Sequence, residues 1–147
     1  MRVVDIRNEP SFVPQYLELR NRHAEVLLTE PVTEAETRAW LKTEPVEIRG
    51  MARGDTLEGV ALLYLKREGE VAFFARSPGQ GTGSRLLRII EQAARQRGLA
   101  SIWAWVRKEN EIAQRAFEKN GYVPGGEESR TYRGEERQGI VYRKRIA

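Results

Sequence analysis

Two hydrophobic periodicities alternate along the chain, and the points where one gives way to the other divide it into elements. Val3, Val4 and Ile6 predict a short first strand. From Ser11 to about Asn21, Phe12, Tyr16 and Leu19 suit a helix, with Pro10 and Pro14 before it and in its opening turn, where proline is tolerated. Thr33-Glu34-Ala35-Glu36 is a capping box, which predicts a second helix from Glu34 to about Lys42. Pro45 disfavours the helical region for Glu44 and ends it. From Val46 the period changes to two: strands are predicted at Val46 to Arg53, Leu57 to Lys66 and Glu70 to Arg76, with turns at Gly54-Asp55 and Arg67-Glu68-Gly69.

A long amphipathic helix follows, from about Ser84 to Arg97. Leu86, Leu87, Ile89, Ile90, Ala93 and Ala94 lie on one side, Arg85, Arg88, Glu91 and Arg95 on the other, and Gly98 stops it. Ala100 to Val106 reads as a buried strand, parallel to the strand before the helix because a helical crossover returns the chain. Asn110 to Asn120 predicts another helix, with Ile112, Ala113, Ala116 and Phe117 inward and Gly121 as its stop. Closing strands near Tyr122 to Val123, Ser129 to Tyr132 and Ile140 to Ile146 flank a charged turn, Arg133 to Gln138. The expectation is one α/β (α+β) domain over residues 1–147, with a mixed, mostly antiparallel sheet and about four helices.

Composition narrows the chemistry. Cysteine is absent and His23 is the single histidine, so thiol nucleophiles, disulfides and imidazole clusters are excluded and no metal is expected. Catalysis is left to carboxylates, hydroxyls, phenols and backbone dipoles. No apolar run approaches a membrane span, and Met1-Arg2 leads directly into a strand pattern, so a cytoplasmic protein without a membrane partner is expected. The net charge of +4 is scattered, mostly Arg alternating with Glu, with no basic run and no aromatic-basic interleaving. That pattern disfavours nucleic acid as the partner, while a positive field still concentrates an anionic ligand.

Pro78-Gly79-Gln80-Gly81-Thr82-Gly83 lies between a strand and a helix, where glycines let successive amides converge and the helix N-terminus adds its own. A phosphate or pyrophosphate is the natural occupant. The loop lacks the Lys of a P-loop, because Ser84-Arg85 follows Gly83, and its GxGxG spacing is not the dinucleotide GxGxxG. Alone, a tight strand-to-helix turn is the lesser alternative for it.

The residues downstream resemble one family. Gly79-Gln80-Gly81-Thr82-Gly83-Ser84-Arg85-Leu86-Leu87 is similar to the acyl-CoA pyrophosphate loop of the GNAT superfamily of N-acetyltransferases. Asn110-x-x-Ala113-x-x-x-Phe117-Glu118-Lys119-Asn120-Gly121-Tyr122 resembles its second CoA-side motif. With the strand Ser101 to Val106 between them, these motifs span about a third of the chain. The resemblance implies a V-shaped splay between the two parallel middle strands and acetyl-CoA as cosubstrate. It also implies direct attack by an amine on the thioester.

Backbone groups near Phe74 and Arg76 would hold the pantetheine arm and polarise the thioester carbonyl, with Gly79, Gln80, Gly81, Thr82, Gly83 and Ser84 at the pyrophosphate. Asn110 and Phe117 would complete the cofactor side. Glu70, Glu58 and Glu25 are candidate bases, and Tyr122, Tyr64 or Asn110 candidate stabilisers of the thiolate. Two positions depart from the pattern. Pro78 stands where the family usually has Arg or Gln, leaving Arg76 or Arg85 to supply charge, and Phe117 stands where many members carry a Tyr proposed as general acid.

Leu19-Arg20-Asn21-Arg22 and Thr33 to Trp40 are similar to members that acetylate amino groups on nucleotide-linked sugars. His23, Glu25, Glu30, Tyr132 and Tyr142 would then line the acceptor pocket. The implied partners are acetyl-CoA, a small amine and a second copy of the chain in a homodimer. Two other readings stay open at this level: a catalytically silent acyl-CoA-binding domain, and a basic nucleic-acid module in which the glycine turn is structural.

Overall fold

The computed structural model describes residues 1–24, 27–77 and 79–147. Glu25, a candidate base, and Pro78, at the rim of the glycine loop, lie outside the described residues. Among the described residues, seven strands form one sheet: β1 (Arg2–Asp5), β2 (Val46–Arg53), β3 (Thr56–Tyr64), β4 (Glu70–Ala75), β5 (Ser101–Arg107), β6 (Val123–Tyr132) and β7 (Glu135–Arg145). Their spatial order is β1-β2-β3-β4-β5-β7-β6, and β4–β5 is the parallel pair. Every other neighbouring pair is antiparallel.

Four α-helices cover the sheet: α1 (Val13–Arg22), α2 (Glu34–Thr43), α3 (Thr82–Gln96) and α4 (Glu111–Lys119). The predicted capping box is formed at α2, where Thr33 Oγ1 accepts from Glu36 N and the Glu36 carboxylate accepts from Thr33 N. The run Val60-Ala61-Leu62-Leu63 on β3 lacks polar alternation because both faces of the strand are buried. Val60 and Leu62 join Tyr16, Leu19 and Leu41 beneath α1 and α2. Ala61 and Leu63 join Leu86, Leu87 and Ile90 beneath α3. Each large apolar side chain so buried contributes about 1.5–3 kcal/mol.

Four expectations change. Ile112, expected inward on α4, is exposed, and Glu91, expected on the polar side of α3, is buried where Lys144 and Arg95 pair with it. Helix α3 begins at Thr82, not Ser84, because Gly81 takes φ 75° and caps it, with Gly79 at φ 84° before it. Gly83 therefore sits in the first helical turn, and its lack of a side chain has a packing cause: a Cβ there would meet Phe73 Cε2 at 2.8 Å. The charged segment Arg133 to Gln138 is not a turn throughout. The turn is Arg133-Gly134, both at positive φ (51° and 78°), and Glu135 onward belongs to β7. This end of the hairpin is exposed, so its strand character carries no hydrophobic alternation.

Candidate active site in the cleft between β4 and β5

The two middle strands meet at one register pair, Glu70 with Trp103, where Trp103 N donates to Gly69 O at 3.2 Å. Above it lies a cavity of about 510 Å³ lined by side chains of β4, β5 and the surrounding elements. Strand parity decides which backbone groups face it. Arg76 N donates to Glu58 O at 2.8 Å on β3, so the even-numbered amides of β4 turn to β3 and those of Val71, Phe73 and Ala75 turn toward β5. On β5, Lys108 N donates to Gln138 O, which turns the amides of Trp105 and Arg107 toward β4. The amides expected at Phe74 and Arg76 are thus committed elsewhere, and Phe73 and Ala75 hold the open edge. An unpaired strand edge requires partners for its N–H and C=O groups.

Directly after β4, the glycine loop delivers the chain into α3. Gly81 offers no side-chain cap, so the amides of Thr82, Gly83 and Ser84 have no intrahelical acceptor and stand at the positive end of the helix dipole. Ser84 Oγ accepts from Asn120 Nδ2 at 2.9 Å, which joins the start of one motif to the end of the other. The expected rim charges lie elsewhere. Arg76 bonds Leu57 O at 2.8 Å and Glu18 Oε1 at 3.0 Å and ties β4 to α1. Arg85 lines, with Arg88, a separate depression beside Met1 to Val3.

Asn110 borders the cavity while capping α4, its Oδ1 accepting from Ala113 N at 3.2 Å. Phe117, 3% exposed, borders it too and packs among Phe73 (5.5 Å between centroids), Tyr122 (4.9 Å) and Tyr142 (5.8 Å).

The acid–base candidates separate by place. Glu70 borders the cavity, its side chain 7% exposed, with Arg67 Nη1 3.3 Å from one oxygen and Arg130 Nη2 2.9 Å from the other. Glu58 is set apart from Glu70, which pairs with Tyr64, six residues along β3 and so about 20 Å away. Glu58 is not among the cavity-lining residues. Tyr122 is buried behind the cleft, where its hydroxyl has no hydrogen-bond partner among the described residues. Burial, and then the charge of Glu91, push that hydroxyl well above the usual phenol range. Tyr64 does border the cavity, as does Tyr16, and burial raises both phenols.

Of the residues expected to line the acceptor pocket, the four described ones do not. His23 stacks on Phe74 at 5.7 Å and bonds Leu19 O at the end of α1, and Glu30 pairs with Arg133 at the surface. The Tyr132 hydroxyl donates to Thr29 O, and Tyr142 packs against Phe117 on the α4 side. The cavity wall is supplied instead by Tyr16, Trp105 and Arg130, which sequence reasoning passed over, and by Arg20, quoted only as part of the segment Leu19 to Arg22. Trp105 and Arg130 lie in strands that the sequence predicts, Ala100 to Val106 and Ser129 to Tyr132, but which face of each meets the cleft depends on the β5–β7–β6 pairing, which the sequence does not carry.

A mixed sheet splayed at its parallel pair, with a glycine-capped helix N-terminus at the end of one splayed strand, defines a domain built to hold an extended ligand between two strands. Residues 8–122 match the model of the Acetyltransferase (GNAT) family. The chain belongs to that family and is an N-acetyltransferase. Similar solved structures include a ribosomal-protein-alanine N-acetyltransferase from Brucella melitensis (TM-score 0.85, 16% identity, 99% of this chain and 99% of that one covered). Another is yncA from Salmonella typhimurium, solved with its cofactor acetyl-CoA (TM-score 0.83, 15% identity, 99% and 94% covered). A third is a GNAT superfamily phosphinothricin acetyltransferase from Sinorhizobium meliloti in complex with acetyl-CoA (TM-score 0.81, 13% identity, 98% and 87% covered). At these identities the likeness establishes the fold. No curated protein matches the sequence. No described helix is long and apolar enough to cross a membrane.

Proposed function

We propose that this protein moves the acetyl group of acetyl-CoA onto a primary amine of a small molecule, in the cytoplasm, by direct attack of the amine on the thioester. The observation that carries the reading is that, among the described residues, the amides of Phe73 and Ala75 on β4 have no strand partner and those at the start of α3 have no intrahelical acceptor. Acetyl-CoA has a matching outline: a diphosphate for the amides of Gly79 to Ser84, then an amide-bearing arm that lies between β4 and β5. The Phe73 N–H polarises the thioester carbonyl, stabilising the charge that develops on its oxygen.

The amine nitrogen attacks the carbonyl carbon, the C–S bond breaks, and the sulfur leaves as thiolate. Glu70, the candidate base that borders the cleft, takes the ammonium proton through water. The second proton, shed by the acylated nitrogen, passes to the thiolate by way of Tyr64 or water, since the Phe117 ring has none to give. Asn110 holds the start of α4 beside the arm. Glu58 and Tyr122 have no part in these steps. An amino sugar is the first acceptor to screen, and the working unit is a monomer or a homodimer.

Calorimetric titration with acetyl-CoA tests the cofactor site. Micromolar binding, about −8 kcal/mol, is expected. Gly81→Val abolishes it by straining the cap at φ 75°, and Gly83→Val does so by displacing Phe73. Unchanged affinity in both variants would overturn the assignment of the loop.

A further inference from the structure

Among the described residues, the acceptor half of the cleft carries more positive than negative charge, and its cations have ordered partners. Arg20, Arg67, Arg107 and Arg130 border the cavity, against the carboxylates of Glu36 and Glu70. Glu70 is shared between Arg67 and Arg130, one anion for two cations. The Glu36 carboxylate is engaged at the cap of α2, and Arg107 pairs with Glu109. Among the described residues Arg20 bonds neutral oxygens: Thr29 Oγ1 at 2.6 Å, Glu30 O at 2.9 Å and Asn21 Oδ1 at 3.3 Å.

Aromatic faces fix two of these guanidinium groups. Arg67 lies 4.2 Å from the Tyr64 ring centroid, and Arg130 lies 4.8 Å from that of Trp105. Trp105 is itself anchored, with Nε1 donating to Glu128 O at 2.7 Å and its indole pressed against Gly139, where a Cβ has no room. The Tyr16 and Tyr64 hydroxyls, which burial holds in the protonated form, add two neutral donors to this wall.

A bare ammonium entering this space meets a field of its own sign and a wall of donors. An amine that also carries an anion meets partners for both ends: Glu70 for the ammonium, the guanidinium groups and phenols for the anion. Resting on the acetyl-transfer reading, we infer that the acceptor is an amine bearing its own carboxylate or phosphate, and that Arg67 and Arg130, seated on Tyr64 and Trp105, select it. Planar guanidinium groups held on aromatic rings recognise either oxyanion in two-pronged fashion.

Matched pairs test this: glucosamine 6-phosphate against glucosamine, and phenylalanine against phenethylamine, each with saturating acetyl-CoA. The anionic member of at least one pair is expected to have the higher kcat/KM by tenfold or more, and the pair that responds identifies phosphate or carboxylate as the anion. Its KM should rise steeply toward about 1 M salt, where charges are screened beyond about 3 Å. Arg67→Gln, at a side chain 57% exposed and so tolerant of exchange, should lower the preference about tenfold, and Arg67→Lys should restore part of it. Calorimetry of the same pairs on the CoA-loaded protein gives the preference without turnover. Equal or better use of the bare amines, with acetyl-CoA bound, overturns the inference alone. Failure to bind acetyl-CoA overturns the transfer reading and the inference with it.

Discussion

Phe117 and Tyr122 share one aromatic cluster, yet only the first borders the cleft. The Tyr122 hydroxyl is enclosed without a partner among the described residues, so losing it removes no hydrogen bond and relieves a desolvated group. Tyr122→Phe should leave unfolding free energy within about 0.5 kcal/mol of the parent or slightly raise it, with kcat unchanged within about twofold. Urea unfolding beside steady-state kinetics checks both. Phe117→Tyr should place a phenol where the ring meets the cavity and raise kcat about tenfold or more at constant acetyl-CoA affinity, since a positioned general acid supplies about 10²-fold or more. Gly79 and Gly81 were legible in the sequence because positive φ leaves few alternatives to glycine. Gly83 looked like the third of a series, but the neighbour that explains it, Phe73, is ten residues away and on another element.

Elements were legible where two faces of contrasting polarity meet a boundary signal. The capping box placed the start of α2 at the correct residue, and β2 runs from Val46 to Arg53 as its alternation predicts. The hairpin β6–β7 was legible only in pieces: short closing strands are predicted at Tyr122 to Val123, Ser129 to Tyr132 and Ile140 to Ile146 where the structure has two long ones. Most of its β6 residues are exposed, and a register shift between Pro124 and Glu127 breaks its alternation. That hairpin nevertheless supplies Arg130 to the acceptor wall and Gly139 beneath the Trp105 ring. Gly139 stands opposite Arg107 in the β5–β7 register, directly under the Trp105 indole. Gly139→Ala should force the ring off the sheet, destabilise the domain by about 1–3 kcal/mol, and free Arg130 from its aromatic seat. Thermal unfolding should register the loss, and kcat/KM for the acceptor should fall while acetyl-CoA affinity holds.

Across the whole molecule, the order of strands and helices along the chain followed from the sequence. The choice of Phe73 over Phe74 as the residue offering its amide did not, because it depends on a parity set by the β3–β4 register and the bond from Arg76 N to Glu58 O. The sheet consists of two sections, β1–β4 and β5–β7–β6, joined at their border by one register pair and by the ion pair of Glu70 with Arg130. The amides of Phe73, Ala75 and Trp105 should therefore exchange with deuterium far faster than their central position implies, and slow sharply when acetyl-CoA is added. A ligand at 100 times its Kd adds about 2.7 kcal/mol to stability, which thermal shift would report alongside. The cosubstrate then serves as a temporary strand, and the lifetime of the folded protein rises and falls with the supply of activated acetate around it.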